Sequence, residues 1–135
     1  ARKQFQQEVA IFTQLWEHRA LVRMMLHGSL AGHAGPLAER LVATSRQFTV
    51  ARFGWMQRQG LLRPDLDVEM ASIMVGGGYE RLARNMVSAD EAPNVAAMIA
   101  RFQVTVADAI ATPPYAQSVR RAVEQHLPLE RSAGG

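Results

Sequence analysis

The chain has 135 residues, 48% of them hydrophobic and 20% charged, which is the composition of one packed domain and excludes disordered or low-complexity architectures. It contains no cysteine, so disulfide scaffolds, thiolate metal sites and cysteine nucleophiles are excluded. The formal charge of +3 rests on 15 basic residues, 14 of them arginine; these are spread from Arg2 to Arg131, and adjacent arginines occur only at Arg120 and Arg121, so no basic face marks a nucleic-acid groove.

Phe5, Val9, Phe12 and Trp16 fall within an arc of about 60° at helical spacing, which predicts an amphipathic helix over roughly residues 2 to 17. Glu17, His18 and Arg19 interrupt it. A second helical stretch runs through LVRMMLHGSL and should stop in the Gly-rich segment GSLAGHAGP, the expected loop. Pro36 suits the first turn of a third helix that continues to Gly60, with Leu37, Leu41, Phe48 and Trp55 within about 40° of one another. Phe53 and Met56 lie on its opposite flank, so its second half should be surrounded by other elements.

QGLLRPDLDVE is the clearest punctuation in the chain. Gly60 can take a left-handed cap, Pro64 cannot continue a helix, and Asp67 is a good N-cap for the next helix. That helix, over 68 to 87, carries the stripe Ala71, Val75, Gly78, Leu82 and Met86, flanked by Met74 and Tyr79. Its interior holds Gly76, Gly77 and Gly78 in a row, each costing about 1 kcal/mol relative to alanine. Close packing of another helix, or a break beside a cavity, would offset that. After SADEAPN, where Asp90 or Asn94 could cap, Val95, Ile99, Phe102, Val106 and Ala109 define a last long helix to about 111, which Pro113 and Pro114 end. Residues 116 to 127 can form a short helix. No run of alternating β-branched residues between turn signals occurs, so the fold class is all-α, a bundle of about five or six helices.

Catalytic and metal-binding constellations are absent from this pattern. His18, His27, His33 and His126 make no helical metal pair, the serines lack a nucleophile elbow, and the triple glycine is not followed by a phosphate-binding lysine. Asp65, Asp67 and Glu69 are explained by a turn, an N-cap and an acidic first helical turn. No enzyme, cofactor or metal is therefore expected. No apolar run approaches the ~20 residues that span a bilayer, and ARKQFQQE has no signal-peptide core, so a cytoplasmic, non-membrane protein is expected. What remains is a density of large adaptable side chains, which suits a core or a cavity for an apolar ligand. Arg52 sits about 60° from the Leu37 direction, close enough to the apolar stripe that it must snorkel, pair or meet a polar ligand group.

The order of these features resembles the C-terminal regulatory domain of TetR family transcriptional repressors: Glu17-His18-Arg19 leading into LVRMML, a long helix ending QGLLRPDLDVEMAS, and a Gly-rich helix ending YERLARNM. The most specific piece is Gly60, Leu62, Arg63, Asp65, Leu66, Asp67, Glu69 and Ala71, which looks like the family's turn into its first dimerisation helix. The resemblance covers residues 16 to 87 best and extends to 112. It implies an effector-binding and dimerisation domain over 1–112 and a C-terminal tail with a short helix over 113–135. Residues 1–17 would be the connecting helix toward a helix-turn-helix domain, not contained in these residues, that binds operator DNA.

The same resemblance implies a small hydrophobic or aromatic effector held between the helices at 2 to 17, 19 to 30, 36 to 59 and 68 to 87. Phe12, Trp16, Met24, Phe48, Arg52, Trp55, Met74 and Tyr79 would contact it, with Arg52 able to anchor an acidic group. It also implies a homodimer formed through Ala71, Val75, Gly78, Leu82, Val95, Ile99, Phe102 and Val106. The alternative reading is a helical protein-interaction or adaptor module with a Met-rich apolar groove. A closed cavity would favour the sensor and an open groove the adaptor.

Overall fold

The computed structural model describes residues 1–26 and 47–128, and the expected loop GSLAGHAGP, with Pro36, Leu37, Leu41, His27 and His33, lies outside the described residues. Helix α1 is Arg2–Glu17 and α2 is Arg19–Leu26, separated at His18 as the Glu17-His18-Arg19 interruption predicts. The described part of α3 covers 47–58. Helices α4 (Val68–Val87), α5 (Val95–Ile110) and α6 (Pro113–Val123) follow, and a single 3-10 turn, Glu124–His126, closes the described chain. The architecture is all-α: the described residues form a bundle of six helices and contain no strand beyond an isolated bridge between Leu62 and Ala111.

The boundaries follow from local chemistry. Asp67 accepts a hydrogen bond from the Met70 amide at 3.0 Å and Asn94 accepts one from the Ala97 amide at 3.1 Å, each satisfying an otherwise orphaned donor at a helix start. Of the two candidate caps before α5, Asn94 is the one used. Gly60 adopts φ 76°, the left-handed conformation that terminates α3 without a Cβ penalty.

The turn after Gly60 is held from both sides. Gln57 donates through Nε2 to the carbonyls of Arg63, Pro64 and Leu66 at 3.0, 3.3 and 3.0 Å. On the other side the Arg63 amide donates to the Ile110 carbonyl and the Thr112 amide to the Leu61 carbonyl, while the Thr112 hydroxyl donates to the Gly60 carbonyl. Truncating Gln57 to alanine leaves three turn carbonyls to solvent and is expected to cost about 1 kcal/mol, read as a lowered urea midpoint at unchanged m-value. An unchanged midpoint would show that the α5 and α6 side of the turn suffices alone.

The core has two clusters joined by α5. The first packs Phe5 and Phe12 of α1 against Met86 and Val87 of α4, Ile99, Ala100 and Val104 of α5, and Val123 of α6. The second packs Met56 of α3 and Leu62 of the turn against Ala107, Ala111 and Val119. Small residues at 100, 107 and 111 let the surrounding helices approach α5 closely. Arg23 of α2 donates to the carbonyls of Val87 and Ala89, tying α2 to the end of α4.

Two expectations are corrected here. Pro113 and Pro114 do not merely end α5; they occupy the first turn of α6, where a missing N–H costs nothing. Residues 113 to 127 are not a tail, because Val119 and Val123 are 8% and 0% exposed and belong to the two core clusters. A domain boundary at 112 would therefore cut through the core.

The glycine run resolves into unequal positions. A Cβ on Gly78 would lie 2.7 Å from Cζ of Phe102, whereas at Gly76 and Gly77 it would meet nothing within 4 Å. Gly78 is thus where α4 receives the tip of the Phe102 ring; it is this side chain reaching across, and not a close approach of the two helix backbones, that occupies the place of a Cβ.

Candidate functional site

A cavity of about 270 Å³, partly open to solvent, lies where α1, α3, α4, α5 and α6 converge. From α3 it is lined by Thr49, Arg52, Phe53 and Met56, residues at i, i+3, i+4 and i+7 that share one helix face. Val75, Gly76 and Tyr79 contribute from α4, Val106, Ala107 and Ile110 from α5, and Tyr115 and Val119 from α6. Gln4 and Glu8 of α1 meet Arg52 and Tyr79 at one end, and Gln103 of α5 also lines it. Its size sits just below the usual ~300–1,000 Å³ of small-molecule pockets, and its mostly apolar wall with a few convergent polar groups has their character.

Of the eight side chains expected around a ligand, Arg52 and Tyr79 line this cavity. Phe12 is in the core beneath it, its ring centroid 6.1 Å from that of Tyr79. Trp16 is half-buried against the first core cluster, and the Arg19 guanidinium lies 4.4 Å from its ring centroid. Met24, Phe48, Trp55 and Met74 do not line it; they are 47%, 73%, 52% and 70% exposed. The enclosure also differs from expectation, because α2 takes no part while α5 and α6 form one wall. The reason lies in α3, which carries two apolar faces: the larger side chains, Phe48 and Trp55, draw attention, but Phe53 and Met56 are the ones turned inward.

The polar end is electrostatically unusual. Glu8 is 9% exposed, and burial raises its carboxyl above the ordinary 4.5, a shift opposed by hydrogen bonding from Tyr79 and Gln4 and by the nearby Arg52 charge. Burial, and then the charge and hydrogen bond of Glu8, push the Tyr79 hydroxyl upward, so it remains a donor. Arg52 reaches across from α3 and donates to Gln4 Oε1 at 2.5 Å. Among the described residues, Glu8 Oε2 and Gln103 Nε2 are buried without a hydrogen-bond partner.

The raised Glu8 carboxyl fixes the sign of a pH effect. As pH rises from 4.5 through the folded-state value, the unfolded chain releases its proton first, so stability present below this window is lost above it. Glu8→Gln, which cannot ionise, is expected to gain stability over the parent at pH 8 and little or none at pH 4. Urea midpoints at the two pH values check this, and an equal difference at both would rule out a burial penalty on the Glu8 charge.

The residues expected at a subunit interface are largely internal. Ala71, Val75 and Ile99 are 4%, 9% and 0% exposed, and Gly78 is filled by Phe102 of the same chain. Leu82 and Val95 pack on the first core cluster. Phe102 and Val106 instead border a second cleft of about 400 Å³ between α4 and α5, also open to solvent, together with Met70, Met74, Thr105 and Ala109. The outward stripe of α4 is thus Met70 and Met74, turned away from the stripe the sequence suggests because Ala71, Val75 and Gly78 face α5 and the core.

Other polar residues have structural roles. Asp67 is an N-cap and Asp65 pairs with Arg63 at 3.2 Å, as capping and turn chemistry predict. The described residues contain no group of three metal-ligating side chains, and His126 packs its ring 5.1 Å from that of Phe5. Glu8 and Gln103 escaped the sequence reading, although helical spacing places Glu8 about 60° from Phe5 and Gln103 about 40° from Ile99, both inside core-facing stripes. No family model, curated protein or solved structure matches this chain.

Proposed function

We propose that this chain is the effector-sensing and dimerisation domain of a TetR-like transcriptional repressor, binding a small hydrophobic or aromatic ligand that controls operator DNA binding by a helix-turn-helix outside these residues. The observation that carries this reading is the cavity at the meeting point of five helices, apolar over most of its wall and reaching α1 through Gln4 and Glu8. On this reading α1 is the connecting helix, and a ligand acts by favouring one placement of α1 over another. Its differential affinity for the two placements sets the extent of control.

The dimerisation part draws support from the Met70 and Met74 cleft, which a two-fold partner would bury. The same cleft is what an adaptor would offer a partner helix, so it favours the second reading to that extent. The cavity is itself partly open to solvent, so the two readings part on whether a small molecule binds within it.

Naphthalene, titrated into the protein and followed by its own fluorescence, tests the sensor reading. One site per chain is expected, weakened at least tenfold by Ala107→Phe, which fills the cavity from α5, or by Val119→Phe, which fills it from α6. Binding that neither filled variant weakens, with both variants melting cooperatively, would remove the cavity from the function. Sedimentation of the parent and of Met74→Glu tests the dimer: a dimer that the charge converts to monomer supports it, and a monomeric parent sinks it.

A further inference from the structure

We infer that the cavity selects aromatic acids, whose carboxylate takes the Arg52 guanidinium from Gln4 and so undoes a side-chain tie between α1 and α3. This rests on the sensor reading and specifies the ligand of the same site. The basis is a chain of polar groups at the α1 end, where Arg52 Nη2 donates to Gln4 Oε1 and the Gln4 side chain in turn hydrogen-bonds Glu8. Arg52, Gln4 and Glu8 all line the cavity. Along this chain burial increases, from the exposed Arg52 through the half-buried Gln4 to the buried Glu8.

The guanidinium is therefore the member of the chain that a ligand reaches first. It is a permanent cation with a planar fork of donors, yet the oxygen it holds here belongs to a neutral amide. A carboxylate matches that fork with two parallel hydrogen bonds, each charge-assisted and stronger than a bond to an amide. Gln4 loses little in the exchange, because its half-buried side chain can turn the freed oxygen to water. The aromatic body of the acid then lies against Phe53, Met56, Val75 and Ile110.

Glu8 and solvent limit the preference. Two carboxylates near one arginine repel, and the Arg52 charge already acts on Glu8. Gln4 stands between the two in the hydrogen-bonded chain, however, and Tyr79 bonds Glu8 from α4. Burial also raises the Glu8 carboxyl, so it takes a proton more readily than an ordinary glutamate when a ligand draws on the Arg52 charge. Water screens the exposed guanidinium, which keeps the expected preference for an acid over its neutral isostere to about fivefold.

The test is a matched series of 1-naphthoate, 1-naphthamide and naphthalene titrated calorimetrically at pH 7 into the 135-residue chain. Naphthoate is expected to bind about fivefold more tightly than naphthamide. Arg52→Gln should abolish that preference. Gln4→Ala, which removes the competing acceptor, should strengthen naphthoate at least twofold and leave naphthalene unchanged. A preference below threefold, one that survives Arg52→Gln, or a Gln4→Ala variant that binds naphthoate no better than the parent overturns the inference while leaving the sensor reading in place. Failure of all three ligands to bind overturns both. A crystal structure with naphthoate adds a direct arm: its carboxylate on Arg52 with Gln4 turned away supports the inference, and an intact bond between Arg52 and Gln4 refutes it.

Discussion

Gly78→Leu is expected to destabilise the protein by about 2 to 3 kcal/mol, while Gly76→Ala and Gly77→Ala are each expected to stabilise it by about 0.5 to 1 kcal/mol. The three positions are consecutive in one helix and share the same intrinsic cost of glycine. They differ in what stands opposite. At Gly78 the new Cβ would fall 2.7 Å from Phe102 Cζ, so the ring must shift toward the cleft and give up its contact with Tyr79, whose ring centroid lies 4.5 Å away. At Gly76 and Gly77 the added methyl meets open space, so only the gain in helix propensity remains. Urea unfolding of the three variants is the measurement. Equal effects would mean that the contact between α4 and Phe102 is not close in solution.

Val123→Asp is expected to cost about 4 kcal/mol or more, enough to unfold a marginally stable domain. Val123 is fully buried in the first cluster with Phe5 and Phe12 from α1 and Ile99 from α5, and none of these can pair with a carboxylate. Val123→Ala should cost about 2 kcal/mol through the lost methyl groups and the space they leave. A soluble, fully folded Val123→Asp by circular dichroism, with an unchanged urea midpoint, would restore the view of residues beyond 112 as an appendage.

The fold was legible because its signals are local and redundant. Asp67, Asn94 and Gly60 each mark a helix end by their own hydrogen-bonding or backbone chemistry, and α4 spans Val68–Val87, where the sequence places it. The site was less legible, because a helical wheel identifies an apolar face without naming what covers it. On α3 the eye follows Phe48 and Trp55, yet the cavity takes Thr49, Arg52, Phe53 and Met56. On α4 the stripe from Ala71 to Leu82 is apolar because it meets α5 and α1 of its own chain, and periodicity alone does not distinguish that from a meeting with a partner. Glu8 and Gln103 were hidden by their type, since a polar residue within an apolar stripe reads as an exception until its burial is known.

The hydrogen bonds tying the Gly60 turn to Thr112 have a kinetic meaning. They fasten the two ends of the α4–α5 hairpin to each other, so that segment is a closed loop in its own right, with the Leu62 and Ala111 bridge as its clasp. Closing a loop of this length costs little more entropy than closing one half as long, roughly 0.6 kcal/mol. The clasp therefore fixes which ends of α4 and α5 lie together, while α1, through Phe5 and Phe12, packs against both helices and joins their lengths. The Arg63 and Thr112 amides are expected to exchange with solvent at a common, slow rate, and unequal rates would show that the clasp does not open as one unit. A ligand seated against Gln4 and Glu8 would then act on the helix that joins α4 to α5 away from the clasp.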